Sequence, residues 1–254
     1  MTDSLKHLDL FSGIGGFSLA AKWCGIETVK FVEIDKFCQK VLAKNFPDVT
    51  IHDDIKTFTY KENVDLITAG FPCQPFSVAG KKKGVNDERY MWPETLRIIR
   101  ESKPTWFIGE NVTGIVAMEL DNILTDLEKE KYETRTYIIP ACAANAPHRR
   151  DRVWIIAHRM RERCDVWTSH RKERHIQDYK EWDIKALQQE WQQLKPESWQ
   201  TYKAKDWFDA NTRIGTVYYG IPNRLDRIKS LGNAIVPQIA YVFMRLIKET
   251  SNDI

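Results

Sequence analysis

From Leu8 to about His158, apolar runs of strand length alternate with amphipathic runs of helical length. That order constrains the fold more than any other feature, because it is met by a largely parallel sheet with helices on both faces. The strand-like runs are Leu8–Phe11, Thr28–Val32, Val64–Ala69, Trp106–Gly109, Thr134–Ile139 and Arg152–Ala157. Helical patterns cover Phe17–Cys24, Lys36–Asn45, Glu94–Ser102 and Leu120–Lys131, the last with Leu120, Ile123, Leu124 and Leu127 at helical spacing. A final helix is expected at Pro237–Lys248, packing back beside the first. The fold class expected is α/β, a doubly wound, mostly parallel sheet. A chain of 254 residues buries roughly 70–75% of its unfolded surface, enough for one such domain and an insertion.

Open α/β sheets place their chemistry at the carboxyl ends of the strands, and the residues there are informative. After the first strand comes a tight glycine turn, Ser12-Gly13-Ile14-Gly15-Gly16, followed by a helix. Glycine lets a backbone approach a ligand closely, as in nucleotide-type sites. Glu33 ends the second strand, ~20 residues past the glycines, where an acid commonly takes ribose hydroxyls. The run Val64–Ala69 leads through Gly70 to Phe71-Pro72-Cys73-Gln74-Pro75. Two prolines stiffen the backbone on either side of one thiol, and a thiolate so held is placed to attack. Lys81, Lys82 and Lys83 in the same loop, with Arg149, Arg150 and Arg152 further on, would lower the thiol pKa. A buried cysteine in a turn is the bland alternative.

The stretch from Phe71 to Gly84 resembles the catalytic loop of the DNA cytosine-5 methyltransferases, prokaryotic or phage type, in which a prolyl-cysteinyl pair is the signature. The resemblance recurs in the same order at Asp9–Gly16, Glu110-Asn111-Val112, His148-Arg149-Arg150-Asp151-Arg152 and Leu231–Pro237. His148 stands where the family usually has glutamine. The resemblance implies that Cys73 adds to carbon 6 of cytosine, making carbon 5 nucleophilic enough to take a methyl group, a case of covalent catalysis. It makes Glu110 the donor to ring nitrogen 3, a role suited to a carboxyl raised by an apolar pocket. A solvated acid at a strand end is the competing reading. Arg150 and Arg152 are implied at the base, Arg152 nearest the cytosine oxygen; both could instead contact phosphate. The implied donor is S-adenosylmethionine. Phe11, Ile14, Gly16, Glu33, Ile34, Asp54, Ile55, Pro72 and Asn233 would contact it, with Phe11, Ile14, Ile34 and Ile55 equally readable as core. Gln74, Ser77, Lys81, Lys82 and Lys83 are the implied nucleic-acid contacts.

The expected organisation is a catalytic and donor-binding domain at 1–159, a small target-recognition region at 160–228 and a returning segment at 229–254. The middle stretch is charged and polar, with Trp167, Trp182, Trp191, Trp199 and Trp207 spread through it and a candidate helix at Asp183–Leu194. Those tryptophans could stack on bases or form a small core. No clear copy of the recognition element expected before Leu231 is found, and Arg213 and Arg224 are its candidate stand-ins.

Net charge is only +3, so local clustering of basic residues argues for a polyanion better than the total does. Five cysteines without CxxC spacing point to a reducing compartment and away from zinc or a disulfide framework; no metal is expected. No signal peptide or membrane-length apolar stretch is read. The expectation is a monomeric, cytoplasmic enzyme of a prokaryotic cell or phage-infected host. It would act on double-stranded DNA at a specific sequence, for restriction-modification or phage self-protection, with a cognate endonuclease as a possible separate partner. Two other readings are a tRNA cytosine-5 methyltransferase and a catalytically silent nucleic-acid-binding protein.

Overall fold

A computed structural model of the chain describes residues 4–72, 90–144, 146, 149–160 and 230–252. Cys73, Gln74, Ser77, Lys81, Lys82, Lys83 and His148 lie outside the described residues, as do the Trp-bearing stretch, its candidate helix and Arg213 and Arg224.

Seven strands form one sheet in the order β3-β2-β1-β4-β5-β7-β6. They are β1 Lys6–Leu10, β2 Glu27–Val32, β3 Thr50–His52, β4 Leu66–Ala69, β5 Trp106–Val112, β6 Tyr132–Pro140 and β7 Asp151–Arg159. Among the described residues the α-helices are α1 Gly16–Trp23, α2 Lys36–Asn45, α3 Trp92–Ser102, α4 Leu120–Lys129 and α5 Pro237–Asn252. Strands β1 to β5 run parallel, and all four residues of β4 are buried. Such continuous burial is what a central parallel strand, covered on both faces, imposes. The expected fold class is therefore correct.

The exception to parallel order is β7, which pairs antiparallel with both β5 and β6. It also lengthens β5. The sequence reading ended that strand at Gly109, but pairing continues through Glu110↔Trp154 to Val112↔Arg152. Glu110 thus sits inside a paired strand, not at a frayed end.

Alternation along the strands divides the sheet faces. Leu8, Leu10, Ile67, Ala69, Phe107, Val153 and Ile155 join a core with α3 and α4 through Trp92, Leu96, Ile99, Ile123 and Leu127. The opposite face meets α1 and α5: Trp154 makes ring contacts with Phe17 at 6.0 Å and Phe243 at 5.5 Å. Ser18 of α1 reaches Asp9 of β1 on that face.

Local chemistry sets the helix ends. Asp35 caps α2, its carboxylate accepting from the backbone N–H groups of Phe37 at 2.9 Å and Cys38 at 3.2 Å. Pro93 lies in the first turn of α3, where its missing N–H costs nothing. By length and composition the helical stretch Ser230–Ser251 could cross a membrane, contrary to the sequence expectation. Its buried Ile239, Ala240, Phe243, Met244 and Ile247 make it a core helix instead.

Trp92 of α3 ties together α4, the sheet and the segment after β4. Its ring lies 5.4 Å from that of Phe71 and 6.1 Å from that of Phe107, and its indole N–H donates to Asp126 at 3.1 Å. We expect Trp92→Ala to lower the unfolding free energy by about 3–5 kcal/mol, read from urea denaturation midpoints at constant slope.

Candidate active site

The carboxyl ends of β1, β2, β4 and β5 converge on one edge of the sheet. Order reverses between β1 and β4, so their following loops diverge and open a crevice, the usual ligand position in this architecture.

The turn after β1 is held in an unusual backbone. Phe11 adopts φ 53°, Gly13 φ 54° and Gly15 φ 87°. The left-handed Phe11 costs on the order of 1–3 kcal/mol and persists only where surroundings enforce it. Here the enforcement is visible: Ser12 N–H donates to Val32 O at 3.1 Å, and Ser12 Oγ donates to Asp9 O at 2.6 Å. A β-carbon on Gly16 would stand 2.7 Å from Ile235 Cγ1, so its absence admits the segment preceding α5.

Glu33 is buried at the end of β2. Its two carboxylate oxygens accept from Gly13 N–H and Asp35 N–H, each at 2.7 Å. Burial raises its pKa while the two backbone donors oppose the rise. Each oxygen keeps a further lone pair for a hydroxyl donor. Beside it Ile34 is 71% exposed, a large apolar side chain left uncovered at the carboxyl edge of the sheet. Asp54 accepts from Lys56 N–H at 2.9 Å, shaping the turn after β3. Ile55 is 6% exposed within the main core, so of the four ambiguous apolar residues it takes the core position. Phe11 and Ile14 are half-buried; Pro72 and Asn233 are exposed.

A buried polar chain beneath this edge was not read from the sequence. Asp9 accepts from Ser18 Oγ at 2.7 Å and Thr68 Oγ1 at 2.9 Å. The Thr68 proton is committed to Asp9, so Thr68 accepts from His7 Nε2 at 2.8 Å. Full burial keeps the imidazole neutral, so His7 Nδ1 is then the acceptor for Thr28 Oγ1 at 2.9 Å. Burial pushes His7 down to about 3 and Asp9 up to about 7. The missed signal was a polar residue at Asp9 and at Thr68, each inside an apolar run.

The second half of the edge surrounds Glu110, which is 7% exposed. The solvated-acid reading fails because β7 covers this residue. Burial pushes its pKa up to about 7, with Arg152 and then Arg150 holding back the rise. Arg152 Nε lies 3.1 Å from Glu110 Oε1, but its N–H is poorly aligned, so the contact acts mainly through charge. A β-carbon on Gly70 would stand 3.9 Å from Glu110 Oε2, which puts the acid beside the chain leading to Cys73. Arg150 points elsewhere: Nη1 donates to Ala234 O, and Nη2 donates to Gly232 O at 2.8 Å.

Both stems of the Cys73 loop are fastened. Asn111 Nδ2 donates to Phe71 O at 2.9 Å. On the returning side, Tyr90 Oη donates to buried Glu119 at 3.0 Å, and Phe71 meets Trp92. Asn111 stood in the sequence without an assigned task; its position next to Glu110 was the available signal.

The edge thus carries two groups of residues, a glycine turn with a buried carboxylate that keeps free lone pairs, and a neutralisable acid beside a guanidinium. The sequence matches the family described as C-5 cytosine-specific DNA methylase over residues 5–217. The chain belongs to that family. It is 35% identical over 162 residues to Type II methyltransferase M.HhaI of Haemophilus parahaemolyticus, covering 61% of this chain and 49% of the relative. To Type II methyltransferase M1.ScrFI of Lactococcus lactis subsp. cremoris it is 39% identical over 165 residues, covering 61% and 42%. The chain thus spans about half the length of the curated relatives it matches. The crystal structure of the S. pombe Dnmt2 methyltransferase superposes with a TM-score of 0.64 at 18% identity, covering 98% of this chain and 99% of that one. At that identity the likeness is one of fold.

Glu110 titrates from a folded-state value of about 7 against an ordinary 4.5. A raised carboxyl contributes stability that is full below about 4.5 and is lost as pH rises through about 7. Relative to Glu110→Gln, the wild type should therefore lose stability over that window. Paired denaturation curves from pH 4 to 8 test this, and parallel curves would mean that Glu110 is not raised.

Proposed function

We propose that this protein is a DNA cytosine-5 methyltransferase, moving a methyl group from S-adenosylmethionine to carbon 5 of cytosine at a specific sequence in duplex DNA. The observation that carries this reading is Glu110: an acid protonatable near neutral pH, beside the stem of the Cys73 loop and paired with Arg152, on the sheet edge that also holds the glycine turn.

In this reading the target base leaves the helix, because carbon 6 is shielded in a stacked duplex. Cys73 thiolate forms a bond to carbon 6. Glu110 supplies a proton or strong hydrogen bond to nitrogen 3, and Arg152 draws charge toward the carbonyl oxygen, so that the electron pair reaches carbon 5. S-adenosylmethionine supplies the electrophilic methyl group. Loss of the carbon 5 proton to a base and departure of Cys73 then restore the aromatic ring.

The donor fits the residues present. Ile34 offers an exposed apolar face for adenine, and Glu33 retains lone pairs for the ribose hydroxyls. Phe11, Ile14, Gly16, Asp54, Pro72 and Asn233 complete the donor contacts, with Ile55 supporting them from the core. Gln74, Ser77, Lys81, Lys82 and Lys83 contact DNA. Residues 1–159 and 229–254 form the catalytic domain, and 160–228 reads the target. The enzyme works as a cytoplasmic monomer in restriction-modification or phage self-protection, alongside any separate endonuclease.

We expect Cys73→Ala to reduce methyl transfer to background with donor binding retained. Purified wild type and variant would be given labelled S-adenosylmethionine with mixed-sequence duplex DNA or bulk tRNA, and product nucleosides identified by mass spectrometry. Cys73-dependent 5-methylcytosine in DNA supports the proposal. Label confined to tRNA would overturn the substrate, and turnover by Cys73→Ala would overturn the nucleophile.

A further inference from the structure

We propose that Arg150 is a positioning residue that straps the segment before α5 onto the donor loop, rather than a contact to the base or to phosphate. The inference rests on the donor-site reading above.

Three observations carry it. The Arg150 guanidinium donates from two nitrogens to two carbonyls, those of Gly232 and Ala234, which lie 82 and 84 residues further along the chain. Arginine's planar fork suits such a two-point grip, since each carbonyl is met by its own nitrogen, whereas a lysine ammonium would have to serve both from a single atom. The next residue, Ile235, is the one seated against Gly16, where any β-carbon would stand 2.7 Å from Ile235 Cγ1. Arg150's own backbone is also anchored, its carbonyl accepting from Ala141 N–H at 3.0 Å.

The strap therefore runs from the start of β7 through Gly232–Ala234 to the glycine turn. Two residues along β7, Arg152 faces Glu110 instead. Neighbouring arginines thus divide the work: Arg152 serves the base pocket, and Arg150 holds the wall of the donor pocket. A positive charge for DNA could be supplied by lysine equally well, whereas the strap needs the fork.

The test uses the full-length protein without DNA, comparing wild type, Arg150→Lys, Arg150→Ala and Arg152→Ala. Backbone hydrogen exchange is followed across residues 230–237, and S-adenosylmethionine affinity is measured by calorimetry. We expect both Arg150 variants to exchange about tenfold faster in that stretch and to bind the donor about tenfold more weakly. Arg152→Ala should match wild type in both. Unchanged exchange in Arg150→Ala would overturn the strap. Faster exchange with unaltered donor affinity would overturn its link to the donor pocket, and full recovery by Arg150→Lys would show that charge alone matters. If the wild type binds no donor, the methyltransferase reading fails, and the exchange result still decides whether Arg150 holds the segment.

Discussion

The bond from Thr68 to Asp9 crosses the seam on which the rest of the site depends. Asp9 belongs to β1, which ends in the glycine turn, and Thr68 belongs to β4, which leads to Cys73. Their pairing fixes Leu10 opposite Ala69, so both loops leave the sheet at the same height. The register of parallel strands is set by burial of side chains on both faces, and the Asp9–Thr68–His7–Thr28 chain adds directional bonds to that apolar constraint. Ser18 extends the chain into α1. The loops that follow β1 and β4 are thereby joined within the sheet, below the edge where they emerge.

The Glu110 pocket follows from a reversal of direction. A parallel strand beside β5 would arrive at this edge with its final residues. Because β7 runs the other way, it begins here, and Arg152 near its start comes beside the acid. The pairing that delivers Arg152 also buries Glu110, so two opposing influences on one carboxyl have a common structural origin. Desolvation is the larger. The outcome is an acid raised toward neutrality while standing next to a positive charge.

Much of this was legible in the chain. The run Lys36–Asn45 is a helix with those same ends, because Asp35 supplies a cap that any reading of the sequence can find. Leu120, Ile123 and Leu127 announced α4 by spacing. The strand direction of β7 was not legible, since periodicity reports which residues are buried and not which way a strand runs. Glu110 looked like a strand end for the same reason: the partner that prolongs β5 comes about forty residues later. Ile55 and Ile34 are the same residue type flanking the same edge, and only packing separates one as core from the other as an open face. Arg150 and Arg152 share an alternation that predicts a common side, yet long flexible side chains on one side can reach different partners. The residues of the recognition stretch lie outside the described part of the fold, so its expected role stays with the proposed function.

The glycine turn follows the first strand, whereas the residues that pack on and around it come just before and within α5. Lys248 donates to the Cys24 carbonyl across a separation of 224 residues, and Ile235 seats on Gly16. During synthesis the glycine turn therefore emerges long before its wall exists. Contacts of such separation are costly to form early, because loop-closure entropy precedes their reward. The wall against the glycine turn therefore forms later than the strands beside it, so a partly made chain carries β1 and its turn with that side still open.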